Sequence, residues 1–348
     1  MAYTTIKKPT DYFNTVLYEG NGATGRGITG VGHQPDFVWI KNRDATTPHV
    51  LTDAVRGATV TLNSNDTSAD DTISNGLTAF GTDGFTIGGN GSFNYSNESF
   101  VSWNWKANGA GSANTDGTIS STVSSNTTSG FSIVKYTGNA TSGATVGHGL
   151  GVTPKVIIIK GLGTTYNWIF GHNSLSTNWT NYLTLSTTDA SAAATNIFND
   201  TAPTSSVFSI GNALGVNTNS SDYIAYCLAE KTGYSKFGSY TGNGNTDGTF
   251  VYTGFKPAFV MVKRTDNTNH FAMYDNKRNG FNDENNYLRA EGTYAEGSET
   301  WGDLDILSNG FKPKANDGMH NASGGTYIYM AFAEAPLVGS NNVPCTAR

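Results

Sequence analysis

The sequence predicts an all-β protein built as three tandem antiparallel β-sandwich repeats of jelly-roll or lectin-like type. The first observation behind this is recurrence. "QPDFVWIKNR" returns as "TPKVIIIKGL" and again as "KPAFVMVKRT", so that Pro35 and Lys41, Pro154 and Lys160, and Pro257 and Lys263 keep one spacing. The second is alternation: in "FVSWNWKA", Val101, Trp103 and Trp105 fall on one face, while Ser102, Asn104 and Lys106 fall on the other. The third is composition. Glycine supplies 42 of 348 residues, and Asn, Ser and Thr stand where most cytosolic enzymes carry Lys and Glu. Helical periodicity is confined to single turns at "DAVRG" and "YDNKRNG".

The first repeat spans residues 1–107 and begins with an N-terminal arm carrying Pro9, Tyr12 and Phe13. A glycine-rich lead, "LYEGNGATGRGITGVGH", precedes its long strand, and an alternating strand at 100–107 closes it. Asp83-Gly84 and Asn75-Gly76 mark hairpin turns. The stretch 108–130, "NGAGSANTDGTISSTVSSNTTSG", reads as a Gly/Ser/Thr linker about which the first repeat would hinge. The second repeat, 131–233, has the lead "KYTGNATSGATVGHGLG" and ends on "YIAYCLAE"; its "KVIIIK" run is apolar on both faces, as a central strand between two layers would be. The third, 234–348, has the lead "SYTGNGNTDGTFVYTGF", a turn at Asn309-Gly310, the closing strand "YIYMAFAE" and a C-terminal tail. Tyr18, Tyr136 and Tyr240 match in the three leads.

The first lead holds G-x-G-x-x-G twice, at Gly20/Gly22/Gly25 and Gly25/Gly27/Gly30, the spacing of a dinucleotide loop. That loop must open a helix whose N-terminal N–H groups face the pyrophosphate. Here Pro35 and then Phe37, Val38, Trp39 and Ile40 follow, which read as a strand, and the other two leads lose the spacing. The glycines therefore predict a turn and no cofactor. The net charge of −6, without a basic cluster beyond Lys7-Lys8, argues against a nucleic-acid partner and against an anionic membrane, and neither is expected. No apolar run approaches a spanning helix, and the start "MAYTTIKKPTDYF" lacks the core of a signal peptide, so no membrane insertion and no ordinary export are expected. Cys227 and Cys345 provide neither a disulfide framework nor a metal knuckle, and no metal site is expected.

No catalytic constellation stands out. His33 and His148 match in two leads, and His49, His172 and His270 follow the long strands, beside Asp53 and Asp275 in the outer repeats. No serine lies in a nucleophile elbow to use them. The carboxylate pairs Asp70/Asp71, Asp283/Glu284 and Asp303/Asp305 sit among polar residues and read as solvated, which does not suit a general acid. Loop tryptophans among polar neighbours are the better candidates, because an indole face stacks on a sugar ring while neighbours bond its hydroxyls. Trp168, Trp179 and Trp301, with Asp303, Asp305 and Asn316 near the last, form the candidate ligand-binding loops.

The strings "IKKPTDYFNTVLYEGNG", "FVWIK", "FGTDGFTIGG", "VSWNWKA" and "YIYMAFAEAP" resemble tandem β-sandwich repeats in virion proteins of tailed, notably marine, bacteriophages of tail-fibre-like type, over nearly the whole chain. The second repeat departs from the pattern with "YCLAEKTG" and "LSTTDASAAATN". The resemblance implies a non-enzymatic structural protein, assembled in the host cytoplasm and located in the virion, most plausibly a tail fibre or host-facing appendage. Its partners would be other virion proteins, further copies of itself (fibres being commonly trimeric) and a host surface glycan or protein, and the N-terminal arm would dock onto the particle. A capsid-decoration or tail-assembly protein without a receptor role, and a polysaccharide depolymerase, are the alternatives.

Overall fold

The structure is a computed structural model that describes residues 4–283 and 285–338. Glu284, Cys345 and the C-terminal tail lie outside the described residues.

Each repeat forms one large and one small sheet, and among the described residues every strand ladder is antiparallel, with a single parallel bridge between Ile119 and Val146. In the first, the large sheet runs Phe13–Glu19, Ser99–Trp105, Phe37–Asn42, Val50–Asp53, Val60–Asn63, Asp71–Thr72, and the small one Arg26–Thr29, Gly84–Ile87, Leu77–Gly81. The third repeats this order with Ser235–Thr241, Thr326–Pro336, Phe255–Arg264, Phe271–Asp275, Leu288–Arg289, over Val251–Tyr252, Gly310–Pro313, Leu304–Leu307. The second has the same central strands, Phe131–Thr137, Asp222–Leu228, Val156–Gly161 and Ile169–His172, over a two-stranded sheet of Ala144–Gly147 and Val207–Ile210. The protein is all-β, of the sandwich class.

The second large sheet also carries two strands at its edge, Ser112–Asn114 and Ser121–Asn126, taken from the stretch expected to be a linker. Residues 108–130 are therefore not a free tether. Val123 pairs with Val134 and is buried, and Ser124 Oγ accepts from the Asn108 amide at 2.8 Å. Hydroxylated residues serve an edge strand as readily as a linker, since one side of such a strand is free of the ladder.

The large sheets are buried on both faces. One face of each covers a private core beneath its small sheet: Val38, Ile40 and Phe100 in the first repeat, Ile157, Ile159 and Ala225 in the second, Val260, Val262 and Tyr329 in the third. The other face enters a single core shared by all three, with Trp39, Trp103 and Trp105 meeting Ile158, Trp168 and Tyr226 and also Phe259, Met261 and Met330. Phe13 stacks on Phe332 at 5.2 Å and Phe37 meets Tyr226 at a tilt at 4.4 Å, each across a repeat boundary. At the meeting point only an apolar void of about 20 Å³ remains. The expected hinge of the first repeat is thus absent, because rotating it would expose this face to water. The described part of the N-terminal arm belongs to the same body: Ile6 is 1% exposed within the shared core, and the Tyr12 ring lies 6.0 Å from that of Tyr234. No helix among the described residues is long and apolar enough to cross a membrane.

Candidate functional site

Most of the polar chemistry is spent on building the body. Tyr18, Tyr136 and Tyr240 stack on Phe100, Tyr223 and Tyr327 at 5.1, 5.3 and 5.0 Å. Their hydroxyls donate to the carbonyls of Phe93, Val216 and His320 at 2.8, 2.8 and 2.6 Å. The next residue in each case, Asn94, Asn217 or Asn321, is fully buried. Its Oδ1 accepts from the amide of Asn21, Asn139 or Asn243 at 2.9, 2.8 or 3.0 Å, and its Nδ2 donates back into the lead and the preceding turn. The preceding glycine is demanded by close approach: a Cβ on Gly20, Gly138 or Gly242 would sit 1.9, 2.4 or 2.3 Å from a carbonyl oxygen. The glycine leads are strand connections pinned by Tyr and Asn, and the nucleotide spacing is incidental.

The joints between repeats use a second set, in cyclic order. Lys41, Lys160 and Lys263, at most 1% exposed, donate to carbonyls at the ends of their own strands. Lys160 also reaches Thr67 O of the first repeat, and Lys263 reaches Thr188 O of the second, both at 3.2 Å. The third repeat closes on the first through Glu296, which binds Arg43 at 2.8 and 3.0 Å. Burial pushes all three lysines down to about 8.

Deeper in each joint, an aromatic donor from one repeat meets an Asp–Arg pair of another. Tyr226 OH donates to Asp53 at 2.8 Å, where Arg56 Nε also binds at 2.6 Å. Trp103 Nε1 donates to Asp275 at 3.0 Å, where Arg278 Nε binds at 2.6 Å. In the remaining joint Met330 stands in the donor's place and cannot donate; the Asp–Arg pair is correspondingly His172 and Leu175. His172 Nδ1 accepts from the Ser174 amide at 3.1 Å, as the aspartates accept from their turns, so Nε2 carries the proton and donates to Tyr329 O at 3.3 Å. Burial lowers this imidazole to about 4, so it is neutral. Asp53, His172 and Asp275 are one structural position, whereas the sequence pattern had grouped His172 with His49 and His270.

Two of the candidate tryptophans are structural. Trp168 is 0% exposed in the shared core, with Nε1 donating to Asn63 O at 2.8 Å, and Trp179 is 3% exposed, edge-on to Phe198 at 5.1 Å. Polar neighbours placed them in loops, but both rings turn inward to bury their area. Asn316 is exposed, in the turn after Gly310–Pro313. Asp70 accepts the Gly163 amide at 3.0 Å, part of the joint between the first two repeats. Asp303 and Asp305 are less solvated than their composition suggests. Burial, reinforced by Asp283, raises both above the usual carboxylate range, and Lys314 lies 3.6 Å from Asp305.

Trp301 leads to the site. It is 37% exposed on a short 3-10 turn, Thr300–Gly302, and packs on Tyr287 at 5.1 Å. The Arg289 guanidinium lies over three rings, Tyr294 at 4.9 Å, Tyr287 at 5.2 Å and Trp301 at 5.9 Å, and Nη2 donates to Tyr287 OH at 3.0 Å. Tyr287 OH donates to Glu299 at 2.6 Å; burial and this carboxylate push the phenol up to about 12, so it remains a donor. Tyr294 is 53% exposed, and its inner edge meets His270, which is paired with Glu291. The segment is held from behind by Glu296, whose carboxylate also binds Arg278 at 2.9 Å. Two open aromatic faces are therefore fixed around one arginine. Strand register places Arg289 opposite Ala272, where the first repeat has Asn63 opposite Val50 and the second Thr184 opposite Ile169. Of the three, only this repeat carries a cation there. Sequence reading found Trp301 but missed Tyr287, Arg289 and Tyr294; the only local signal was the aromatic spacing of "YLRAEGTYAEGSETW".

The chain belongs to a family of domains of unknown function, DUF7483, whose model matches residues 8–336. No curated protein and no solved structure matches it.

Proposed function

We propose that the chain is a non-enzymatic structural protein of a tailed-bacteriophage virion, part of a tail fibre or similar host-facing appendage, whose third repeat contacts a host-surface glycan. The observation that carries the binding role is the Tyr294–Arg289–Trp301 platform: exposed aromatic faces on a segment held rigid by the Glu296 ion pairs. Preorganised aromatic faces bind at low entropic cost, and rings stack on the C–H face of a sugar. The virion role is supported by the resemblance of the repeat strings and by a body whose three repeats are locked together by buried joints such as Tyr226–Asp53–Arg56 and Trp103–Asp275–Arg278. The threefold arrangement that fibres commonly gain by trimerisation is already present within one chain, so assembly need not be trimeric.

Purified protein on an array of host-derived polysaccharides should bind a subset, and Trp301→Ala should weaken that binding roughly tenfold or more while leaving thermal unfolding unchanged. Silence across the array would remove the receptor role and leave the decoration or assembly reading. Labelling of intact particles viewed by electron microscopy decides between capsid and tail. One observation favours the depolymerase as a second reading: Asp303 and Asp305, with raised pKa values, lie directly after Trp301. Failure to release reducing sugar from any polysaccharide bound on the array would end it.

A further inference from the structure

The joint between the second and third repeats is the one in which leucine replaces arginine. At its edge lies an open cleft of about 500 Å³. Ser174 and Ser191 of the second repeat form one wall; Ser239, Thr241 and Thr326 of the third form the other. Leu175 and Ile328 add apolar surface to the lining. Leu175 stands at the place held by Arg56 and Arg278 in the other joints, so no guanidinium reaches across.

The lining restricts what can bind. Its charged lining group is Asp266, whose carboxylate is held by Arg264 at 2.9 and 3.2 Å and by the Thr326 amide at 3.2 Å, with a pKa below the ordinary value. The pair is neutral overall. An anion meets no free cation there, and an organic cation meets a carboxylate whose charge is already matched. Hydroxyls both donate and accept, so a wall of serines and threonines is complementary to a ligand that does the same. A carboxylate fixed in the lining accepts well from neutral hydroxyls, and apolar lining surface suits a C–H face. The volume admits one or two sugar rings.

We infer that the cleft between the second and third repeats is a binding site for an uncharged saccharide, separate from the aromatic platform and independent of it. The probes are glucose, galactose, mannose, N-acetylglucosamine, maltose and lactose, each titrated into the full chain and followed by calorimetry and by ligand-observed NMR. At least one should bind saturably with Kd on the order of 1 mM, as expected for a shallow polar site. Ser239→Trp, which fills the cleft from an exposed edge-strand position, should abolish binding. Asp266→Asn, which keeps the size and can still accept the Thr326 amide, should weaken it roughly tenfold. Thermal unfolding of both variants should match the parent, and Ser174→Val serves as a further cleft variant if Ser239→Trp does not fold. Trp301→Ala should leave this binding intact. No saturable binding of any of the six sugars overturns the inference, as does binding that survives all three cleft variants. Binding lost in Trp301→Ala but retained in the cleft variants overturns it too, and assigns the sugar to the platform instead.

Discussion

Asp53→Ala probes how much a joint between repeats contributes. Asp53 is fully buried; one oxygen accepts the Val55 and Arg56 amides at 3.0 and 2.8 Å, and the other accepts Arg56 Nε and Tyr226 OH at 2.6 and 2.8 Å. Removing it leaves an arginine side chain of 1% exposure with no counter-charge, its remaining polar contacts being Leu51 O at 2.9 Å and a long approach to Tyr226. Breaking one partner of such a pair costs about 3–5 kcal/mol, most of it the uncompensated charge. The third joint shows how the site does without charge, so Asp53→His, Arg56→Leu and Tyr226→Met together should recover most of the loss. A residual of about 1–2 kcal/mol is expected from imperfect packing. Denaturant unfolding followed by tryptophan fluorescence measures both variants against the parent. A single-variant cost below about 1 kcal/mol would refute the reasoning, as would a triple variant no more stable than Asp53→Ala.

Acid should destabilise the fold. The folded pKa of His172, about 4, lies below its ordinary 6.5, so the unfolded chain takes the proton first; this residue's contribution, about 3 kcal/mol, is complete above pH 6.5 and lost as pH falls to about 4. His172→Gln, measured by unfolding at both pH values, should flatten the slope. Alkali should do the opposite: Lys41, Lys160 and Lys263 titrate near 8 when folded and 10.5 when unfolded, so their contribution to stability should rise between about pH 8 and 10.5, and Lys160→Met should reduce the rise by about a third. Asn217→Ala should cost about 2–4 kcal/mol, because the Asn139 amide and the turn carbonyls lose a buried partner; a cost within experimental error would show that the lead is held by other contacts. The first repeat expressed alone, residues 1–107, should lack a cooperative thermal transition by circular dichroism, since Trp39, Trp103 and Trp105 would face water.

The repeat and its strands were legible because what recurs is chemistry with one solution: a tyrosine that must stack and donate, a glycine with no room for a Cβ, a lysine that caps its own strand end. Alternation in "FVSWNWKA" correctly placed Val101, Trp103 and Trp105 together, yet it could not say that this face meets two other repeats rather than its own small sheet. The linker was misread because Ser and Thr serve an edge strand and a tether alike, and only the burial of Val123 and the bond to Ser124 distinguish them. Trp168 and Trp179 were misread because neighbours report where the backbone lies, not where a ring points. The platform escaped notice because Arg289 acquires its role only when Tyr287, Tyr294 and Trp301 fold back over it, at separations no local period links.

Comparing the three repeats within one chain separates structure from function more sharply than any one of them does. Inside, corresponding positions either keep one residue, as in Tyr18/Tyr136/Tyr240 and Asn94/Asn217/Asn321, or change together, as Met330 with His172 and Leu175. Such coupled change is what a buried interface enforces, since a charge or donor left without its partner costs several kcal/mol. Further out, the position opposite Val50, Ile169 and Ala272 is Asn63 in the first repeat, Thr184 in the second and Arg289 in the third, each only partly buried. Stability places no common demand on that position, so its cationic character in the third repeat needs another cause. The exposed rings of Tyr294 and Trp301, gathered around that arginine and backed by the Glu296 ion pairs, are what the proposed ligand role rests on.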